Sequence, residues 1–158
     1  LNHIVRAIGY VATTRQLAVD DDWGGTTSTI HLGEAYASEA LSGLEAFSHI
    51  EVLFLFHAVA EAEVVTGARH PRGRKDWPRV GIFAQRAKSR PNRIGSTICP
   101  LLAVRDRALH VRELDAIDGT PVLDIKPVMV EFLPREAVRQ PPWATELMER
   151  YWRDPGRG

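Results

Sequence analysis

A single cysteine, Cys99, in 158 residues excludes any disulfide framework within the chain; set between Ile98 and Pro100, it reads as an inert packing residue. Long hydrophobic runs are missing too. The longest, residues 50–60, is broken by Glu51 and His57 and falls short of the roughly 20 apolar residues a membrane helix needs. No membrane partner is expected. No strand, glycine-rich loop and helix follow one another, which removes support for a doubly wound nucleotide fold. Internal repeats and low-complexity tracts are absent. No leader pattern opens the chain, so a cytoplasmic location is the expectation. Neither sign of charge is in excess: 20 Lys and Arg balance 20 Asp and Glu.

The charge that is present is unevenly placed. Between residues 69 and 93 stand nine basic residues (Arg69, Arg72, Arg74, Lys75, Arg79, Arg86, Lys88, Arg90 and Arg93) against one acid, Asp76. A local basic segment attracts phosphate even when the whole molecule is neutral. A compact acidic run, Asp20 to Asp22, lies elsewhere.

Hydrophobic spacing predicts strands at 4–11, 28–32, 50–56, 80–84, 94–104, 108–114 and 122–125. The run at 50–56 is apolar enough to be buried on both faces. Ala40, Leu41, Leu44 and Phe47 recur at helical spacing, which predicts a helix over 38–47 capped by Ser38. A closing helix is predicted over 143–152, with Leu147, Met148 and Tyr151 on one face and Trp143, Tyr151 and Trp152 in core or dimer contacts. Many short strands and few helices imply a mostly β, single-domain, barrel-like fold with a few short helices. Residues 1–140 would form the barrel and 141–158 a C-terminal helix and tail.

Three segments carry residue types that a plain core does not need. The first leads from Gly43-Leu-Glu-Ala-Phe-Ser-His49 into the apolar strand that ends near His57. The second contains Arg86 and the run Arg90-Pro-Asn-Arg-Ile-Gly95. The third is Leu114-Asp-Ala-Ile-Asp-Gly-Thr-Pro-Val-Leu-Asp-Ile-Lys-Pro127. In this order and at this spacing they resemble the signatures of the TsaA-like (TrmO-type) methyltransferase family, across residues 4–127.

The resemblance implies a β-barrel enzyme that uses S-adenosyl-L-methionine, forms a homodimer and holds its cofactor near the subunit interface. It implies tRNA as partner, with N6-methylation of threonylcarbamoyl-adenosine beside the anticodon. Carried over by position, it puts cofactor contacts at His57, Ala58, Arg86, Ser96 and the stretch Asp115, Ala116, Ile117 and Asp118. A further cofactor loop is assigned to Asp22, Trp23 and Gly24. The match there is weak, because Arg15-Gln16 followed by Asp20 to Gly25 replaces the family's Pro-Arg-Gln-Pro-Gly-Leu. Arg93 likewise stands where the family more commonly has proline. The extra C-terminal domain of longer relatives has no counterpart here, so a short form of the family is expected.

Elementary chemistry gives these residues matching tasks. A guanidinium forks onto a carboxylate, and an aspartate accepts from ribose hydroxyls or an ammonium group. Methyl transfer needs mainly positioning and no metal. The acceptor nitrogen must lose a proton, for which His57, Asp118 and Asp124 are all candidates. Arg69, Arg72, Arg74, Lys75, Arg90 and Arg93 are the candidate RNA contacts. Plainer roles stand beside these. A charged loop is ordinarily solvated, a histidine after an apolar strand ordinarily packs, Asp-Gly is ordinarily a turn, and Asp124 with Lys126 suits an ion pair along a strand. Two other functions also fit: a methyltransferase of the same architecture acting on a small molecule or protein, and a non-catalytic S-adenosylmethionine-binding module.

Overall fold

A computed structural model describes residues 1–158. Six antiparallel strands close a barrel: β1 (Gly9–Ala12), β2 (Thr27–Leu32), β3 (His49–Leu55), β6 (Ile94–Arg105), β7 (Ala108–Arg112) and β8 (Pro121–Pro127). Their order around the wall is β1-β2-β7-β6-β3-β8. Two further short strands, β4 (Ala68–Arg69) and β5 (Val80–Gly81), pair in a separate small sheet. One short helix, α1 (Pro142–Met148), follows near the C-terminus. No helix is long and apolar enough to cross a membrane.

Strand alternation sets the core. Ile50, Val52 and Phe54 of β3 point inward, as do Cys99 of β6, Leu109 and Val111 of β7, and Val122 of β8. The alternate positions of β3 (His49, Glu51, Leu53 and Leu55) are only half-buried. The run 50–56 is therefore not covered on both sides as expected, because a barrel wall has a single interior face. Gly95 opens β6 where the Phe54 and Phe56 rings leave no room for a Cβ, so this position must stay bare. Cys99 is fully buried, and that burial, then the nearby Asp115 charge, pushes its thiol up to about 12.

Other expectations change in detail. The helix predicted over 38–47 is two 3-10 turns, Ser38–Leu41 and Leu44–Ala46, separated by Gly43 at φ 92°. A left-handed residue interrupts the α-helical ladder there, and Ser38 makes no side-chain cap. Leu41 still reaches the core. Strand 4–11 shrinks to Gly9–Ala12, with Ile4 exposed. After β5 the chain turns into 3-10 geometry at Ile82–Ala84 rather than staying extended. The closing helix stops at Met148, and residues 149–158 run on as an irregular segment laid against the barrel.

Candidate functional site

The third motif begins at the end of β7 and crosses to β8. At its start, Asp115 is clamped by two hydroxyls: Thr97 of β6 donates to Oδ1 and Tyr151 to Oδ2. Burial, with the Asp115 charge second, holds the Tyr151 phenol well above its ordinary value, and the Arg86 cation partly offsets the rise. Arg86 donates through Nη2 to the Ser96 carbonyl, next to Thr97. Arg86, the Ser96 backbone, Asp115 and Tyr151 thus share one corner of the barrel in a single subunit. The Ser96 side chain faces the outer wall, where its hydroxyl donates to Glu51 at 2.8 Å.

The stretch from Asp115 leads into the Asp118–Gly119 turn, with Gly119 at φ 78°. The turn is pinned from both sides: the Asp118 N–H donates to the Arg15 carbonyl at 2.7 Å, and Asp118 Oδ1 accepts the Thr13 N–H at 3.0 Å. His57 is exposed in the turn after β3 with Ala58, and its Nε2 is 3.9 Å from where a Cβ on Gly119 would sit. His57 therefore borders Gly119, the residue after Asp118. Ala116 is buried between the two ends of the motif and Ile117 half-buried. Asp124 lies apart, paired with Lys126 at 2.7 Å on β8 and in register with Leu53.

Arg15 connects the weakly matched loop to this turn. It donates to the Asp22 carbonyl at 2.6 Å and lies over the Trp23 ring at 3.8 Å. Trp23 itself is 3% exposed, a core residue. The amides of Asp22, Trp23 and Gly24 donate to the carbonyls of Arg150, Tyr151 and Arg153. Gly24 packs so closely on the Trp152 carbonyl that no Cβ fits. The Asp22 carboxylate takes Arg153 at 2.7 and 3.2 Å, and that hydrogen bond holds its carboxyl below the usual value. Sequence reasoning missed Thr13, Arg15, Thr97 and Tyr151. Only Arg15 carried a signal, as one of two residues surviving from the family's loop.

Most of the basic cluster is engaged internally. Arg72 pairs with Asp21 at 2.9 Å and approaches Asp20 at 3.9 Å, which also accounts for the acidic run. Arg74 pairs with Asp76 and lies over Trp77 at 4.0 Å. Arg69 donates to Gln85 Oε1 at 3.4 Å, and Arg90 to the Gln85 carbonyl at 2.5 Å. Arg93 donates to the Val59 carbonyl at 2.7 Å and faces Glu61 at 3.5 Å. Its φ of 52° lies far from the value of about −65° that a proline ring imposes, so the family's proline cannot occupy this backbone. Lys75 and Arg79 stand exposed.

Comparisons with known proteins agree with this architecture. A profile of the tRNA-methyltransferase O N-terminal domain matches residues 15–132. The human protein "tRNA (adenine(37)-N6)-methyltransferase" is 38% identical over 102 residues, covering 65% of this chain but only 23% of its own length. A Methanothermobacter thermautotrophicus protein, "Probable S-adenosyl-L-methionine-binding protein", is 39% identical over 127 residues, 78% of this chain and 88% of that protein. The crystal structure of TrmO from Pseudomonas aeruginosa superposes with a TM-score of 0.70 at 30% identity, over 88% of this chain and 62% of that one. Matched over most of its length and across five of the six barrel strands, the chain belongs to the tRNA-methyltransferase O N-terminal domain family.

Proposed function

We propose that this chain transfers a methyl group from S-adenosylmethionine to an adenosine of tRNA, at N6 of threonylcarbamoyl-adenosine beside the anticodon. The observation that carries the reading is convergence: Arg86, the Ser96 backbone and Asp115 meet in one subunit, and the same short stretch brings the Asp118–Gly119 turn beside His57. The human relative's name supports the base and atom, and the archaeal relative's name supports the cofactor.

The donor set suits such a cofactor. Arg86 uses one N–H on a carbonyl and keeps further N–H groups for a carboxylate. Asp118 has one oxygen committed to Thr13 and the other open to ribose hydroxyls or an ammonium. When bound, S-adenosylmethionine supplies an electrophilic methyl on a sulfonium. The protein's part is to hold donor and acceptor in line, about 3–3.5 Å apart. We assign the proton acceptor to His57, exposed beside the Asp118–Gly119 turn; Asp124 is held by Lys126 on the outer wall. A general base at this position removes the N6 proton as the new bond forms.

The test is incubation with labelled S-adenosylmethionine and tRNA carrying threonylcarbamoyl-adenosine. Label should enter the RNA; proven cofactor binding with no labelled RNA, protein or small molecule would reject transfer. On the same reading the enzyme works in the cytoplasm as a homodimer. The second copy would cover the outer row Ile94, Ile98 and Leu102 of β6, which are 40%, 48% and 50% exposed. Ile98→Asp should then halve the mass seen by light scattering, and an unchanged mass would place the interface elsewhere.

A further inference from the structure

We propose that residues 150–154 form a strap that holds one wall of the cofactor site, with Tyr151 as the residue that positions Asp115. This rests on the functional reading above. The strap lies beyond the residues that the family profile matches, 15–132, yet it reaches the third motif directly.

Three observations carry the inference. First, the strap docks as a ribbon rather than as a loose tail. The Asp22 N–H donates to the Arg150 carbonyl at 3.1 Å, the Trp23 N–H to the Tyr151 carbonyl at 2.8 Å, and the Gly24 N–H to the Arg153 carbonyl at 3.2 Å. Arg153 closes the end with two hydrogen bonds to Asp22. Second, those backbone contacts aim the Tyr151 hydroxyl at Asp115 Oδ2, opposite Thr97 on Oδ1. A carboxylate has about four lone-pair positions, so the clamp orients it and leaves others for a ligand. Third, Asp115 opens the stretch that leads to the Asp118–Gly119 turn beside His57, and Arg86 rests on the Ser96 carbonyl next to Thr97, the other hydroxyl of the clamp. Turning the Asp115 carboxylate would disturb the first cofactor contact in that stretch. The Tyr151 phenol stays a donor because burial, and Asp115 after it, resists loss of its proton.

A purely structural Tyr151 would alter melting alone. The test is therefore calorimetric titration of the full chain with S-adenosylmethionine, well below the melting temperature, on wild type, Tyr151→Phe and Arg157→Ala. Tyr151→Phe keeps the ring and removes the hydroxyl; it should weaken binding about tenfold, the scale of one charge-assisted hydrogen bond. In turnover its KM for S-adenosylmethionine should rise while kcat at saturation holds. Arg157→Ala, at a side chain 89% exposed beyond the strap, should bind as wild type does. Equal affinity for wild type and Tyr151→Phe overturns the role of Tyr151 and leaves the functional reading standing. A wild-type chain that does not bind S-adenosylmethionine overturns the functional reading and this inference with it. If Tyr151→Phe does not fold, Tyr151→Met carries the test, because it also lacks the hydroxyl while a flexible apolar side chain fills the site, and unchanged affinity there is equally decisive against it.

Discussion

Arginines in the segment 69–93 differ in their partners: Arg72, Arg74 and Arg93 face carboxylates, whereas Arg86, like Arg69 and Arg90, rests on a neutral oxygen. Around the small sheet, Arg72 meets Asp21, Arg74 meets Asp76 and Arg93 meets Glu61, each guanidinium facing a carboxylate. At the barrel corner, Arg86 meets only the Ser96 carbonyl, and Asp115, bonded to the adjoining Thr97, is already clamped by Thr97 and Tyr151. A paired guanidinium has its charge largely answered, so it fastens loops. An arginine resting on a neutral carbonyl retains attraction for an incoming anion. Charge density along the sequence therefore overstates how much of the basic segment is free to bind RNA.

The sharpest way to break this contrast is Arg86→Ala. Losing an unneutralised guanidinium should weaken S-adenosylmethionine binding by about 1.5–3 kcal/mol with little change in melting. Calorimetry measures the first and circular dichroism the second; unchanged affinity would mean that Arg86 is scaffold like its neighbours. A smaller effect is expected where the basic loop is unpaired. Lys75→Glu with Arg79→Glu should lower RNA binding and reduce its dependence on salt by roughly 0.7–0.9 per lost phosphate contact, read from binding isotherms across salt concentrations. An identical salt slope would remove these two side chains from the RNA surface.

The smallest effect concerns a paired arginine. Arg153 holds the Asp22 carboxyl below its ordinary 3.8, so this link stabilises the fold fully above that pH. It is lost as pH falls through the lowered folded value. Hydrogen exchange at the amides of residues 22–24 should quicken over that acid range, and Asp22→Asn should flatten the change. A profile identical in both chains would show that the backbone contacts alone keep the strap in place.

The parts of the site that were readable share a property. Arg86, Asp115 and Asp118 lie within motifs whose residue types and order are visible in one dimension, and the antiparallel barrel follows from short alternating segments with turn residues between them. The errors share one as well. Residues 38–47 have helical spacing, but Gly43 takes a left-handed conformation that spacing does not encode. Tyr151 looked like a packing aromatic because its polar partner, Asp115, is 36 residues away. The acidic run 20–22 has no partner legible in the sequence, because Arg72, which pairs with Asp21, lies 51 residues on.

By itself, then, the amino-acid sequence determined most of the barrel strands, the single buried thiol and the identity of the motif residues, since alternation and local composition act over a few positions. Tertiary structure alone decided which charges are answered, where Asp22 to Gly24 send their amides, and that a tyrosine beyond the barrel reaches Asp115. Hydrogen bonds and ion pairs act over a few ångströms of space, and only closure of the barrel brings such distant positions within that range.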